Sequence, residues 1–211
     1  MVKIPKDREL FRKTKGASIY DGTFINQDLS IYDFKDVNIK YCVFINCKFP
    51  KDSNWLQSIC GKTIEGCRFF NCDLSNQSFK DMDISFCKFL GETKLPIDKN
   101  FFINLRNKLI KGVTFPAQDF SNCLFTGVSI SRANFHRKSL LPTDRNIFAK
   151  MSSYIHIAIP DNIIKYIHLF DVDYDKINFS KQRTMLSTEQ KIIIDHKLLN
   201  SRGVNKNLRE E

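Results

Sequence analysis

The chain has 211 residues, 42% hydrophobic and 27% charged, with a formal net charge of +10; this is a globular composition and excludes a disordered or fibrous chain. No run of 18 apolar residues occurs, which excludes a transmembrane helix, and residues 1–16 are charged throughout rather than carrying the apolar core of a secretory signal. Phenylalanine is in excess, 19 residues against 1 Trp and 6 Tyr, and its spacing organises the chain.

Residues 1–16 read as a basic N-terminal segment or cap, with 6 basic and 2 acidic side chains. From Ile19 onward every fifth residue is Phe24, Leu29, Phe34, Ile39, Phe44, Phe49, Asn54, Ile59, Ile64, Phe69, Leu74, Phe79, Ile84 and Phe89. A second run, shifted by one residue, is Phe115, Phe120, Phe125, Ile130 and Phe135. Neither the 3.6-residue period of a helix nor the 2-residue period of a strand generates this lattice. Two residues before each centre stands a column of small residues: Gly22, Val37, Cys42, Cys47, Cys67, Cys72, Cys87, Val113, Cys123, Val128 and Ala133. Asp, Asn, Ser and Thr fill most positions between the columns.

Segments such as CDLSN (72–76) and ANF (133–135) resemble the pentapeptide-repeat family, whose repeat reads approximately A(D/N)LXX. The resemblance covers nearly half of the chain. It implies an all-β core, a right-handed quadrilateral β-helix with one pentapeptide per face and four per turn. The Phe, Leu and Ile centres then form the interior ladder, with turns stacked about 4.8 Å apart. A uniform 20-residue register would place Phe24, Phe44, Ile64 and Ile84 in one ladder and Leu29, Phe49, Phe69 and Phe89 in another. Gln27, Tyr32, Gln57, Lys62, Gln77, Met82 and Gln118 put bulk into the small-residue column, and Lys51–Trp55 breaks the pattern. An outward bulge there would shift the register.

Six of the seven cysteines lie in the small-residue column, all but Cys60. Spacings of five point them to different faces, so they read as small buried filler and reduced thiols rather than zinc ligands; Cys47, Cys67 and Cys87 are expected in one ladder.

Between the two runs, Leu90–Gly112 reads as an inserted amphipathic helix. Asp98 suits its N-cap, Phe101, Leu105 and Leu109 its apolar stripe, and Gly112 its stop. Lys99, Arg106, Lys108 and Lys111 would form its basic face, a candidate interaction surface. The repeat domain thus spans 17–135 with an insertion at 90–112. Residues 136–211 read as a mostly helical C-terminal cap, with helices expected from Pro142, from Pro160-Asp161 and after Ser187. These C-terminal helices offer a homodimer contact.

Charge separates the functional classes. Residues 17–89 carry 8 basic and 9 acidic side chains, so the rod is near neutral, while its appendages are basic. Some pentapeptide-repeat proteins protect DNA gyrase by imitating duplex DNA, which needs a strongly negative rod; that role is disfavoured. Nucleic-acid binding through the basic appendages finds no recognised motif. His136, His156, His168 and His196 lie outside the lattice without a catalytic partner, and Asp171, Asp173 and Asp175 lack the glycine and distal Glu of an EF-hand. No catalytic residue, cofactor or metal is expected. The reading is a non-catalytic protein-protein interaction scaffold or regulatory binder with an unidentified protein partner, cytoplasmic and bacterial or phage. The alternative is a bacterial secreted effector acting in a host cell; DNA mimicry and nucleic-acid binding rank below both.

Overall fold

The computed structural model describes residues 18–51, 54–144, 146–155, 157–164, 176–177 and 191. Among the described residues, eleven strands of two or three residues alternate with tight corners. The first six are β1 Ser18–Tyr20, β2 Thr23–Ile25, β3 Asn38–Lys40, β4 Val43–Ile45, β5 Arg68–Phe70 and β6 Lys88–Leu90. The remainder are β7 Leu109–Lys111, β8 Thr114–Phe115, β9 Ser129–Ser131, β10 Asn134–Phe135 and β11 Ser153–Ile155. All pairings are parallel. The chain is a parallel β-solenoid of about seven coils.

Four faces follow one another around each coil. Face 1 carries β1, β3, β7, β9 and β11; face 2 carries β2, β4, β5, β6, β8 and β10. Face 3 is held by the isolated bridges Asp28↔Lys48, Asp73↔Lys94 and Asp119↔Leu140. The end of face 4 is held by backbone bonds such as Cys60 N–H to the Val37 carbonyl at 2.9 Å and Arg106 N–H to the Met82 carbonyl at 3.0 Å. Phe24, Leu29, Phe34, Ile39, Phe44, Phe49, Phe69, Leu74, Phe79, Ile84, Phe89, Phe115, Phe120, Phe125, Ile130 and Phe135 are all buried in one continuous core. On face 2 the rings stack: Phe24 on Phe44 at 4.9 Å, Phe44 on Phe69 at 5.1 Å, Phe69 on Phe89 at 5.5 Å and Phe115 on Phe135 at 4.8 Å. Each coil leaves its apolar side chains unsatisfied until the next is laid upon it, so stability accrues between coils.

The coils are not all 20 residues long. On face 2 the paired positions are 20 apart (Thr23 and Val43), then 25 (Val43 and Arg68), 20 (Arg68 and Lys88), 26 (Lys88 and Thr114), 20 (Thr114 and Asn134) and 24 (Asn134 and Ala158). Short and long coils alternate. The uniform-register ladders are therefore corrected: Phe69 follows Phe44, while Ile64 and Ile84 lie on face 1, where Thr63 bridges Asp83. In the second and third long coils one added residue enters before the proline, because Asp73 pairs with Lys94 and Asp119 with Leu140, 21 residues apart. Most of the added residues enter at the same place in each long coil, after Pro50, Pro96 and Pro142. There Asn54, Asn100 and Asn146 each accept a bond from the backbone N–H four residues on, at 2.9, 2.9 and 3.1 Å. This turn buries Trp55 and Leu56, Phe101 and Phe102, and Ile147 over face 4, against Phe34, Phe79 and Phe125 of the short coils. The first and third of these turns are the helices α1 Trp55–Ser58 and α2 Ile147–Lys150.

The expected helix over 98–112 is absent. Residues 90–112 complete a coil, and their only helical piece is a three-residue 3-10 turn at Arg106–Lys108 containing Asn107 at φ 54°. Asp98 caps no α-helix; its carboxylate accepts the Asn100 N–H at 2.7 Å. Gly112, at φ 68°, is a coil corner. The described residues of 136–164 likewise extend the solenoid, through β11 and the Asn134↔Ala158 bridge, and among them only α2 and α3 Asp161–Ile164 are helical. The expected cap helix after Ser187 and the homodimer contact lie outside the described residues, as does the segment 1–16.

The bulky residues of the small column are accommodated individually. Gln77 is buried and donates to the Pro50 carbonyl at 2.8 Å; Gln118 donates to the Leu95 carbonyl at 2.7 Å and accepts the Leu95 N–H. Gln57 donates to the Ser78 and Lys80 carbonyls, and Met82 is buried.

Candidate interaction surface

A side-chain-filled solenoid acts through its outer walls, so the distribution of exposed groups decides where. Among the described residues the exposed large apolar side chains are Tyr20, Ile25, Ile31, Tyr41, Phe70, Phe86, Leu140 and Ile155. Six of these eight, all but Ile31 and Leu140, stand on face 1, face 2 or the corner between them. Scattered apolar side chains are ordinary on a surface; a contiguous set rimmed by polar groups marks an interaction site.

Face 2 is flat because its strands pair in direct register. Ile25 lies opposite Ile45, Ile45 opposite Phe70, and Phe70 opposite Leu90. These four outward side chains form a column along the solenoid axis, with Ile25 45% and Phe70 42% exposed and Ile45 and Leu90 half-buried. The second outward column is Thr23, Val43, Arg68 and Lys88, so the two columns contain two cations and no carboxylate. On the far rim Asn46 donates to Asn26 at 2.9 Å and Asn71 donates to Asn46 at 3.1 Å, a polar ladder ending where Asn71 accepts the Glu92 N–H.

The corner between faces 1 and 2 is built from left-handed residues. Tyr41 (φ 57°) and Phe86 (φ 61°) occupy a conformation that bulky side chains avoid, whereas the following coil in each case presents a glycine, Gly66 or Gly112. A Cβ on either glycine would collide with the ring laid over it. The rings nevertheless remain 48% and 39% exposed. Lys111 Nζ sits 5.4 Å from the Phe86 ring centroid, a cation–π contact. Lys40 pairs with Glu65 at 2.9 Å, and Tyr41 donates to the same carboxylate at 3.4 Å.

Face 3 has a different character. Its outward positions alternate as Asp28, Lys48, Asp73, Lys94 and Asp119. Ser30, Ser75 and Ser121 bond these aspartates through hydroxyl and backbone N–H, holding each carboxyl below its ordinary range. The charges there neutralise one another. A groove of about 550 Å³ runs beside them, lined by Asn46, Lys48, Asn71 and Asp73 among others.

The four basic residues expected on one helical face do not share a surface. Lys99 is exposed at the corner between faces 3 and 4, and Lys108 between faces 4 and 1. Arg106 is half-buried and spent on structure: its guanidinium donates to the carbonyls of Gly61 at 2.6 Å, Lys62 at 3.2 Å and Asp81 at 3.2 Å. Lys111 alone reaches the apolar edge.

All seven cysteines are free thiols, and only Cys60 is exposed. Cys42, not Cys47, shares the ladder of Cys67 and Cys87, and the Cys42 thiol together with burial pushes the Cys67 thiol well above the usual range. Desolvation raises Cys72 to about 11 and Cys123 to about 12. Among the described residues no group of three or more His, Cys, Asp or Glu side chains is placed to hold a metal ion. His136 is exposed; His156, His168, His196 and the Asp171–Asp175 segment lie outside the described residues. No described helix is long and apolar enough to cross a membrane.

The apolar column of face 2 was not singled out in the sequence. Its signal is present in the first four coils: the residue after the face 2 centre is Ile25, Ile45, Phe70 or Leu90, while the residue after the face 3 centre is Ser30, Pro50, Ser75 or Pro96. Beyond them Pro116 and His136 follow the face 2 centres.

No protein-family model matches the chain, and no curated protein matches it. A solved structure of a trypsin-treated variant of QnrB1, described as a plasmid-mediated fluoroquinolone resistance protein, is similar at 16% identity and a TM-score of 0.19. The alignment covers 68% of this chain and 55% of that one, so the chain matches little more than half of that protein's length.

Proposed function

We propose that the chain is a pentapeptide-repeat solenoid that works as a non-catalytic interaction scaffold, docking a protein partner on face 2 and its corner with face 1. The observation that carries this reading is the concentration of exposed apolar side chains on that edge, against self-neutralising charges on face 3. A wall whose backbone is already bonded from coil to coil loses little entropy when it binds. The side-chain-filled interior supports binding by the outer wall rather than chemistry in a cleft. Arg68 and Lys88 on the flat face oppose imitation of duplex DNA, which requires a negative wall. The free thiols support a reducing, cytoplasmic setting.

The test places a photo-crosslinking amino acid at Phe70 or, as the comparison, at Lys80, which is exposed on face 4. Irradiation in cells is expected to give a protein adduct from the Phe70 position and none from Lys80. Equal adducts, or none from Phe70, contradict the assignment of the docking edge.

A further inference from the structure

The partner's chemistry follows from the spacing and charge of face 2, given that this face is the docking wall. We infer that face 2 receives an acidic amphipathic helix of another protein, laid along the solenoid axis. The apolar column offers one side chain per coil, Ile25, Ile45, Phe70 and Leu90, at a repeat of about 4.8 Å. An α-helix presents one apolar side chain per turn at a pitch of about 5.4 Å when its apolar residues follow i, i+3 or i+4, and i+7. A helix aligned with the axis therefore meets each coil once. The mismatch accumulates to about 2 Å over four coils, within the reach of Leu and Phe side chains.

Other occupants fit less well. An added strand needs an unpaired backbone edge, and face 2 from β2 to β6 is bonded on both sides of every internal strand. A second copy would bring Arg68 and Lys88 of each chain together, and neither outward column supplies a carboxylate to separate them. Of the chain's own segments outside the described residues, 1–16 hold 6 basic and 2 acidic side chains, and 178–190 with 192–211 hold 6 and 4. Residues 165–175, with 1 basic and 3 acidic, join Ile164 to Lys176 beside the Ile157↔Ile177 bridge, at the end of the solenoid away from Ile25 and Ile45. A nucleic acid would find two cations beside an aliphatic strip, whereas single strands bind to basic grooves with stacking rings. A helix with Leu facing the column and Glu on the flank facing Arg68 and Lys88 satisfies both features at once.

The experiment uses the full chain and two fluorescent 18-residue helical peptides with the same leucine stripe, one flanked by glutamates and one by lysines. Anisotropy titrations are expected to show the glutamate peptide bound at least tenfold more tightly. The double variant Arg68→Glu/Lys88→Glu is expected to reverse that order, and Phe70→Ser to weaken the glutamate peptide by at least tenfold, each with an unchanged melting temperature because these side chains point outward. Should the double variant fail to fold, Lys88→Gln alone is expected to lower the preference several-fold. Equal binding of both peptides, no binding of either, a preference untouched by these substitutions, or tighter binding of a 20-nucleotide oligothymidine overturns the inference. So does a dimer in light scattering that Phe70→Ser abolishes. If the peptides fail while the Phe70 photo-adduct forms, only the helix assignment falls; if the adduct also fails, the docking edge falls with it.

Discussion

Phe44 and Phe69 are 25 residues apart in the chain, yet their rings stack at 5.1 Å with planes 14° apart. That contact records the lengthened second coil, and it connects the first two coils to the rest of the face 2 ladder. Phe69 also stacks on Phe89 at 5.5 Å and is fully buried. Phe69→Ala is expected to cost about 3–5 kcal/mol, the range for emptying a buried phenylalanine site. Phe69→Asp is expected to leave no cooperative melt, since a carboxylate would be unpaired in an apolar ladder. A wild-type melting curve for either would place Phe69 outside the core.

The corner glycines give a coupled prediction. Gly66 has φ 70° and lies beneath the Tyr41 ring. Gly66→Ala is expected to destabilise by about 1–2 kcal/mol from the left-handed backbone alone, with a further loss because the ring must move. In a Tyr41→Ala background the same change is expected to cost less, by about 0.5–3 kcal/mol as contacting residues couple. Denaturant melts of the four proteins measure the difference; strict additivity would mean that the ring does not rest on Gly66.

Arg106 joins three carbonyls from two neighbouring coils. Lysine has the charge but not the planar fork. Arg106→Lys is expected to retain less than half of the stability that Arg106→Ala removes, itself about 1–3 kcal/mol for hydrogen bonds to a charged donor. Equivalent melts for Arg106→Lys and wild type would show the fork to be unimportant.

The buried thiols set the alkaline limit. Cys72 and Cys123 have folded-state pKa values of about 11 and about 12, raised from 9.0. Their folded forms hold protons that the unfolded chain releases, so this stability is complete below pH 9 and is lost as pH rises through 11 and 12. The melting temperature is expected to fall across that window, and more gently in Cys72→Ala/Cys123→Ala. An identical alkaline slope in that variant would assign the loss to other groups.

Much of this architecture is legible in the sequence because the five-residue lattice is physical: each centre fills the interior and each small residue lets the wall turn. What misleads is the corner of the long coil. Phe101, Leu105 and Leu109 are four apart, a helical spacing, but the structure turns Phe101 and Leu105 inward around a lengthened corner. It leaves Leu109 as a half-buried outward residue of β7 beside the inward Ile110, with Asn107 left-handed before it. A period of five also conceals a longer one. Pro50, Pro96 and Pro142 recur every 46 residues, each followed after four residues by Asn54, Asn100 or Asn146, and that recurrence marks the short-long pair of coils. Face 2 is harder to read, because its outward columns become contiguous only once the 25-residue register is known: under a uniform 20 the residue beside Ile45 would be Glu65, not Phe70.

The register is therefore the most direct test. In a Cys60→Ser background, where no other described thiol is exposed, the pairs Ile45→Cys/Phe70→Cys and Ile45→Cys/Glu65→Cys are oxidised and analysed by peptide mapping. Neighbouring parallel strands hold their Cα atoms about 4.8 Å apart, within the span of a disulfide. The account predicts a 45–70 disulfide in high yield and none between 45 and 65. A 45–65 disulfide without the other would restore a uniform 20-residue coil and dismantle the face on which the proposed partner docks.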